Sequence, residues 1–199
     1  TVAIGNQVFQ PLTSGTSNTG VGYQVGLSMT SGSQNTLLGY KAGDSITSGS
    51  YNTANGTNAL GSVTTGTHNT GLGRNSVTAV TTGVQNTGIG SGALDALTTA
   101  SYNTAVGYGA LTSDTKGSRS VAVGRSALEI QNFTTATDAY NTAVGFGAGQ
   151  QITTGSQNTL VGGTAGDALT SSIRNTVVGF NALSSETLGR YSTAIGYNA

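Results

Sequence analysis

Small and branched apolar residues return along this chain at fixed offsets from a recurring polar residue, and the whole pattern repeats every 17 positions. Counting the Asn of Asn103-Thr-Ala-Val-Gly107 as position 0, position 3 is Val, Ile or Leu in eleven of twelve copies. Position 1 is Thr in most copies, and position 2 is Ala, Gly, Leu or Val and never polar. β-branched residues alternating in this way predict a short strand. The copies begin at Thr1, Asn18, Asn35, Asn52, Asn69, Asn86, Asn103, Ser120, Asn141, Asn158, Asn175 and Ser192, and only the step from Ser120 is longer, at 21 residues. A period of this size predicts a solenoid, whose coils bury their apolar faces only against one another. The expectation is one repeat domain over residues 1–199, about twelve coils with a longer one at 120–140.

The other positions fill out one coil. Position 4 is glycine throughout: Gly5, Gly22, Gly39, Gly56, Gly73, Gly90, Gly107, Gly124, Gly145, Gly162, Gly179 and Gly196. That implies a turn with positive φ or a backbone approach too close for any Cβ. Ala followed by Leu at positions 7 and 8 (Ala59-Leu60, Ala110-Leu111) predicts a second short strand facing the first. An apolar residue six before the Asn (Met29, Ile46, Leu97, Ile152) folds the connection back over the core, and Gly three before it marks another turn. Only Thr1, Ser120 and Ser192 replace the Asn, residues that share its hydrogen bonding but not its tolerance of left-handed backbone. A ladder of side-chain hydrogen bonds between coils is therefore expected. The acids at position 9 (Asp44, Asp95, Glu129, Asp167) never occupy adjacent coils, as a stack with ~4.8 Å between levels requires.

Side chains alternate across a strand, so positions 1 and 3 face one way and position 2 the other, and neither face carries charge. One face forms the solenoid interior. The other needs a further chain, and the small residues of position 2 suit close backbone approach there, so an oligomer is expected. Charged residues are 7% of the chain and the net charge is zero, which excludes nucleic acid and anionic membrane surfaces as partners. There is no Cys, hence no disulfide or thiolate chemistry, and no apolar run approaches the ~20 residues that span a bilayer. The chain opens on a repeat and closes inside one, without polar caps, so a fragment of a longer fibre lacking a leader is expected.

Ser120-Val-Ala-Val-Gly124, Ser192-Thr-Ala-Ile-Gly196 and Thr1-Val-Ala-Ile-Gly5 resemble the Ser-Val-Ala-Ile-Gly repeat of YadA-like trimeric autotransporter adhesin heads. Asn-Thr-Ala-Val-Gly…Ala-Leu repeats are also similar to those of phage tail fibres and of surface fibres of predatory bacteria. The resemblance implies a left-handed parallel β-roll in a homotrimer, on the outer surface of a bacterium or on a phage virion. The adhesin repeat is shorter than this one, and the family's neck, stalk and membrane-anchoring barrel are missing from these residues.

Candidate chemistry is sparse. His68 is the one histidine, at a position elsewhere filled by Gln, Tyr and Arg, and reads as a surface variant. Metal sites need clustered ligands, phosphate loops need a strand, a helix and a Lys, and hydrolytic triads need His and acid partners. None is present, so no enzyme, cofactor or metal is expected. Tyr23, Tyr40, Tyr108 and Phe146 follow the glycine, while Tyr51, Tyr102, Tyr140 and Tyr191 precede the Asn. They serve either as covers stacked on neighbouring coils or as anchors for a sugar or protein. Insertions in solenoids map to loops, often on the binding face. Phe133, Tyr108, Tyr140, Glu129 and Asp138, in or near the long coil, are thus the candidate contacts to a surface glycan or protein receptor, with an inert insertion as the other reading. Asn55 is the one polar residue at position 3; three copies meeting near a trimer axis would hold water or an ion, with a water-satisfied local defect as the other reading.

These features predict the head or shaft of an adhesive fibre. The competing functions are a passive spacer and, because Thr also recurs five before the Asn (Thr13, Thr30, Thr98), an ice-binding solenoid; Lys116 and Leu188 break the neighbouring position against the latter.

Overall fold

The computed structural model describes residues 1–199. It is an all-β parallel solenoid of about eleven coils of ~17 residues, with no helix. One strand per coil, from Val2–Asn6 to Thr193–Ile195, joins a single twelve-stranded sheet in chain order. The register is the repeat itself: Thr87 pairs with Thr104, Gly88 with Ala105 and Ile89 with Val106.

Position 2 is buried in strand after strand while positions 1 and 3 are not, as in Thr70–Leu72 and Thr104–Val106. The expected contact between chains through the small residues of position 2 is thus corrected, because those residues line the interior. Curvature decides it: the chain turns toward the face where small side chains leave room for the opposite wall. That wall comes from positions 7 and 8 and from six before the Asn, where Ala59, Leu60, Met29, Ile46 and Leu97 are buried. Volumes compensate across it. Where position 2 is Leu37, position 8 is Gly43, and a Cβ there would lie 3.0 Å from the leucine's Cδ atoms. Leu160 and Gly166 repeat the exchange, with a Cβ at 2.9 Å.

The expected second strand is absent. Positions 6 and 8 take left-handed backbone, as at Asn58 and Leu60 with φ of 55° and 56°, so Ala-Leu occupies a tight turn whose alternation mimics a strand in sequence. The glycine of position 4 meets both conditions set for it. Gly107 has φ of 135°, and a Cβ would sit 2.5 Å from the carbonyl oxygen of Gly124 in the next coil.

The asparagines form the expected ladder. The backbone N–H of Asn35 (2.9 Å) and its side-chain amide (3.1 Å) both donate to Asn18 Oδ1, and the same amide donates to the Gly49 carbonyl at 2.9 Å. The set recurs at Asn52, Asn69, Asn86 and Asn103. Each bond inside a dry stack is worth about 1 kcal/mol net, but leaving one of these groups unpaired there costs about 1–3.

Candidate functional site

Three surface features run the length of the sheet. The first is its outer face. Thr of position 1 and the branched apolar residue of position 3 stand side by side on most strands, with Val2 and Val121 in place of Thr and Asn55 in place of the apolar residue, and no element of the chain covers them. Ile89 and Val144 are 38% and 37% exposed. Asn55 stands in this rank between Leu38 and Leu72 and is exposed.

The second feature is a column formed by the residue before each Asn. From Ser17 to Tyr191 these eleven residues all have φ between 51° and 64°, and none is glycine. Left-handed backbone costs an L-residue roughly 1–2 kcal/mol. Here it lets the N–H bond the preceding coil, as Gln34 does to the Thr16 carbonyl at 2.9 Å, and it stacks planar side chains along the fibre. Tyr51 lies on His68 at 4.7 Å with planes 12° apart. The Arg119 guanidinium lies over the Tyr102 and Tyr140 rings at 4.7 and 5.8 Å, and its Nε is 3.1 Å from Asp138. The third feature is a matching column at position 5, where Tyr23 stacks on Tyr40 at 5.4 Å and Arg125 sits between Tyr108 and Phe146. Many ring faces in both columns are stacked on neighbouring side chains, while the rings themselves stay exposed at their edges.

The five candidate residues of the long coil do not form one cluster. Tyr140 and Asp138 join the column before the Asn, exposed and bridged by Arg119. Tyr108 and Glu129 lie beyond the strand, on the side of positions 5 to 9, and line a common depression. Phe133 does not project at all: it is 6% exposed. Thr134, Thr135 and Ala136 form the long coil's one continuous exposed run, with Asn132 exposed beside them.

The excursion turns inward because the ladder is broken at Ser120, which has no amide to offer. Gln131 takes its place. Its Nε2 donates to Ser120 Oγ at 3.2 Å and to Asp114 Oδ2 at 2.5 Å, and its Oε1 accepts from the Asn141 amide at 2.8 Å. Asp114 is fully buried where most coils carry Leu, Ile, Val or Met, and accepts the backbone N–H groups of Gly117 (2.9 Å) and Phe133 (3.1 Å). Sequence reading missed Asp114 and Gln131. A signal was there: Ser113-Asp114-Thr115 precedes Ser120 as Ser185-Glu186-Thr187 precedes Ser192, so acid and serine replace the usual pair together.

Nine of the ten threonines five before the Asn, all but Thr187, spend their hydroxyl protons within the stack; Thr13 and Thr98 donate to the carbonyls of Thr30 and Thr115 at 2.9 Å. No three His, Cys, Asp or Glu side chains converge. Burial pushes the carboxyls of Asp44 and Asp167 up from the ordinary 3.8.

Comparison of the chain with protein-family models, with curated proteins and with solved structures returned no match.

Proposed function

We propose that this chain is a segment of an extracellular adhesive fibre, displayed on a bacterial surface or a phage tail, in which three parallel copies pack through their outer sheet faces. The observation that carries the reading is the rank of Val, Ile and Leu at position 3, left bare over twelve strands beside a rank of Thr. At about 4.8 Å per strand and roughly 10 Å across, this surface covers about 500–600 Å², the upper end of the range for the largest patch on a monomer, where such patches often mark interfaces. Most levels present Thr beside Val, Ile or Leu, so parallel copies match level by level. The resemblance to trimeric adhesin heads and tail fibres supports the same arrangement. Asn55 then brings three amides together near the axis, a polar level that fixes register and holds water or an ion.

The work of such a fibre is mechanical display with multivalent attachment, where linked copies raise avidity without new contacts. It involves no catalysis and no cofactor. Light scattering tests the assembly: a mass three times the 19.7 kDa chain is expected, reduced to one chain by Val106→Glu with Val123→Glu. A monomeric native protein sinks the trimer. Beads coated with the protein test attachment to cells, and a folded trimer that holds to none is a passive spacer.

Ice binding is the second reading, and one observation favours it: the Thr and Val ranks of the outer face form a flat, regular array. Thermal hysteresis by a monomer would put it first.

A further inference from the structure

The column at position 5 is interrupted. Arg74 and Tyr108 belong to it, and between them stands Ser91, too short to stack. Their backbones are two levels apart, about 9.6 Å, and a ring held between two planes needs about 7–8 Å. Arg125 covers one face of Tyr108, so the face toward Ser91 is the open one. The opening is a depression of about 250 Å³ bordered by Arg74, Tyr108, Asp95, Thr112 and Glu129. That is a little under the ~300 Å³ of the smallest drug-sized sites, room for one ring.

Its floor is clear of side chains because glycine, the residue that takes this left-handed backbone with least strain, stands at both levels. Position 6 is Gly92 and Gly109 here, with φ of 70° and 63°, yet Asn58 and Asn75 hold the same backbone at 55° and 53°. Space does not demand glycine either: a Cβ on Gly109 would meet nothing within 4 Å, and one on Gly92 only Thr112 Oγ1 at 3.9 Å. The column has two other short residues: Thr57, between Tyr40 and Arg74, where position 6 carries the Asn58 side chain, and Gly163, whose gap is closed. At Gly163 the Phe180 ring leans in, 3.2 Å from where a Cβ would stand, and closes it.

We propose that this slot binds a single pyranose ring, neutral or amino-substituted, stacked on the open face of Tyr108 beneath Arg74. Tyr108 supplies the flat apolar surface that the C–H face of a sugar prefers. Asp95 and Glu129 accept its hydroxyl protons, and Arg74 and Thr112 donate to its oxygens. Glu129 is held in place by the Gln150 amide, which donates to Oε2 at 2.5 Å and leaves Oε1 for the ligand. Two carboxylates against one guanidinium repel acidic sugars. No residue of positions 1 and 3 lines the slot. The proposal rests on the adhesive reading and gives that reading a ligand class.

The test uses the whole chain with methyl pyranosides of hexoses, hexosamines, N-acetylhexosamines and uronic acids, followed by saturation-transfer NMR and titration. Ser91→Tyr completes the column with a residue the same backbone carries at Tyr23 and Tyr40, and Tyr108→Ala removes the platform from the other side. At least one neutral or amino pyranoside should bind the native chain, and each variant should bind it at least tenfold more weakly at an unchanged melting temperature. Binding of no pyranoside, equal binding by Ser91→Tyr or by Tyr108→Ala, or equal binding of uronic acids overturns the slot. Attachment to cells separates the two ideas. Native attachment that both variants retain removes the slot and keeps the fibre reading, whereas pyranoside binding without attachment keeps the slot and removes that reading.

Discussion

The coils from Asn35 to Arg119 and the coil from Ser120 to Tyr140 close the same interior by different means. In the regular coils each Asn bonds the Asn above it, a partner supplied by the repeat at a fixed 17-residue distance. In the long coil the bonding amide arrives from Gln131, eleven residues along from Ser120, and a carboxylate inside the core holds it. The regular coils depend on identity between neighbours. The long coil depends on one path of backbone that delivers Gln131 and Phe133 to the inside, so the extra residues support the core where a surface loop was expected.

Deleting Gln131 to Thr134 restores the 17-residue length and puts the contrast to its hardest trial. It removes the replacement rung and a buried aromatic ring, so stability to urea should fall by about 4 kcal/mol or more. A variant as stable as the native chain would make this coil an ordinary loop. Gly107→Val attacks the regular side. Its Cβ has backbone of the next coil within 2.5 Å and its φ is positive, so a loss of about 3 kcal/mol is expected in the same assay. An unchanged transition would show that the coils separate without penalty.

A double-mutant cycle sharpens the comparison further. Gln131→Ala should cost about 1–3 kcal/mol by stranding Asp114 and the Asn141 amide. Ser120→Asn in that background should restore part of it by rebuilding the regular ladder, with a coupling of about 1 kcal/mol between the sites. Additive effects would mean that Gln131 does not stand in for the missing Asn.

The smallest effect concerns two half-buried acids. Asp44 and Asp167 have carboxyls raised above 3.8 by desolvation, and Asp167 Oδ1 has no partner. A raised carboxyl favours the neutral form in the fold, so both acids leave stability intact below the ordinary carboxylate range and reduce it as pH rises above 3.8 toward neutrality. Asp167→Asn should therefore match the native chain at pH 3 and exceed it modestly at pH 7 in urea unfolding. A native chain more stable than the variant at pH 7 would reverse the assigned cause.

Much of the fold was legible because neighbouring coils carry the same residue at the same level. The Gly of position 4, the Asn ladder and the spacing of acids all follow from asking what a residue does when stacked on its own copy. The second strand was misread because Ala-Leu alternation looks alike in a strand and in a turn with left-handed residues at Asn58 and Leu60. The left-handed column before the Asn left no trace, since Tyr51, His68 and Arg119 are not residues that announce such backbone. Of the candidate contacts, Tyr140 and Asp138 lie together, Tyr108 and Glu129 share a depression, and Phe133 is inside. Spacing along the chain carried no information on which side of the strand each would fall.

By itself the sequence determined the period, the parallel stack and the residues that meet their own copies across it, because each of these depends on contacts between adjacent coils at a constant separation. The tertiary structure alone decided which strand face turned inward, where Gln131 and Phe133 went, and that the gap at Ser91 stays open while the one at Gly163 is filled. Those outcomes depend on how the whole coil curves and on the volume left by side chains from several levels at once, quantities that no single repeat contains.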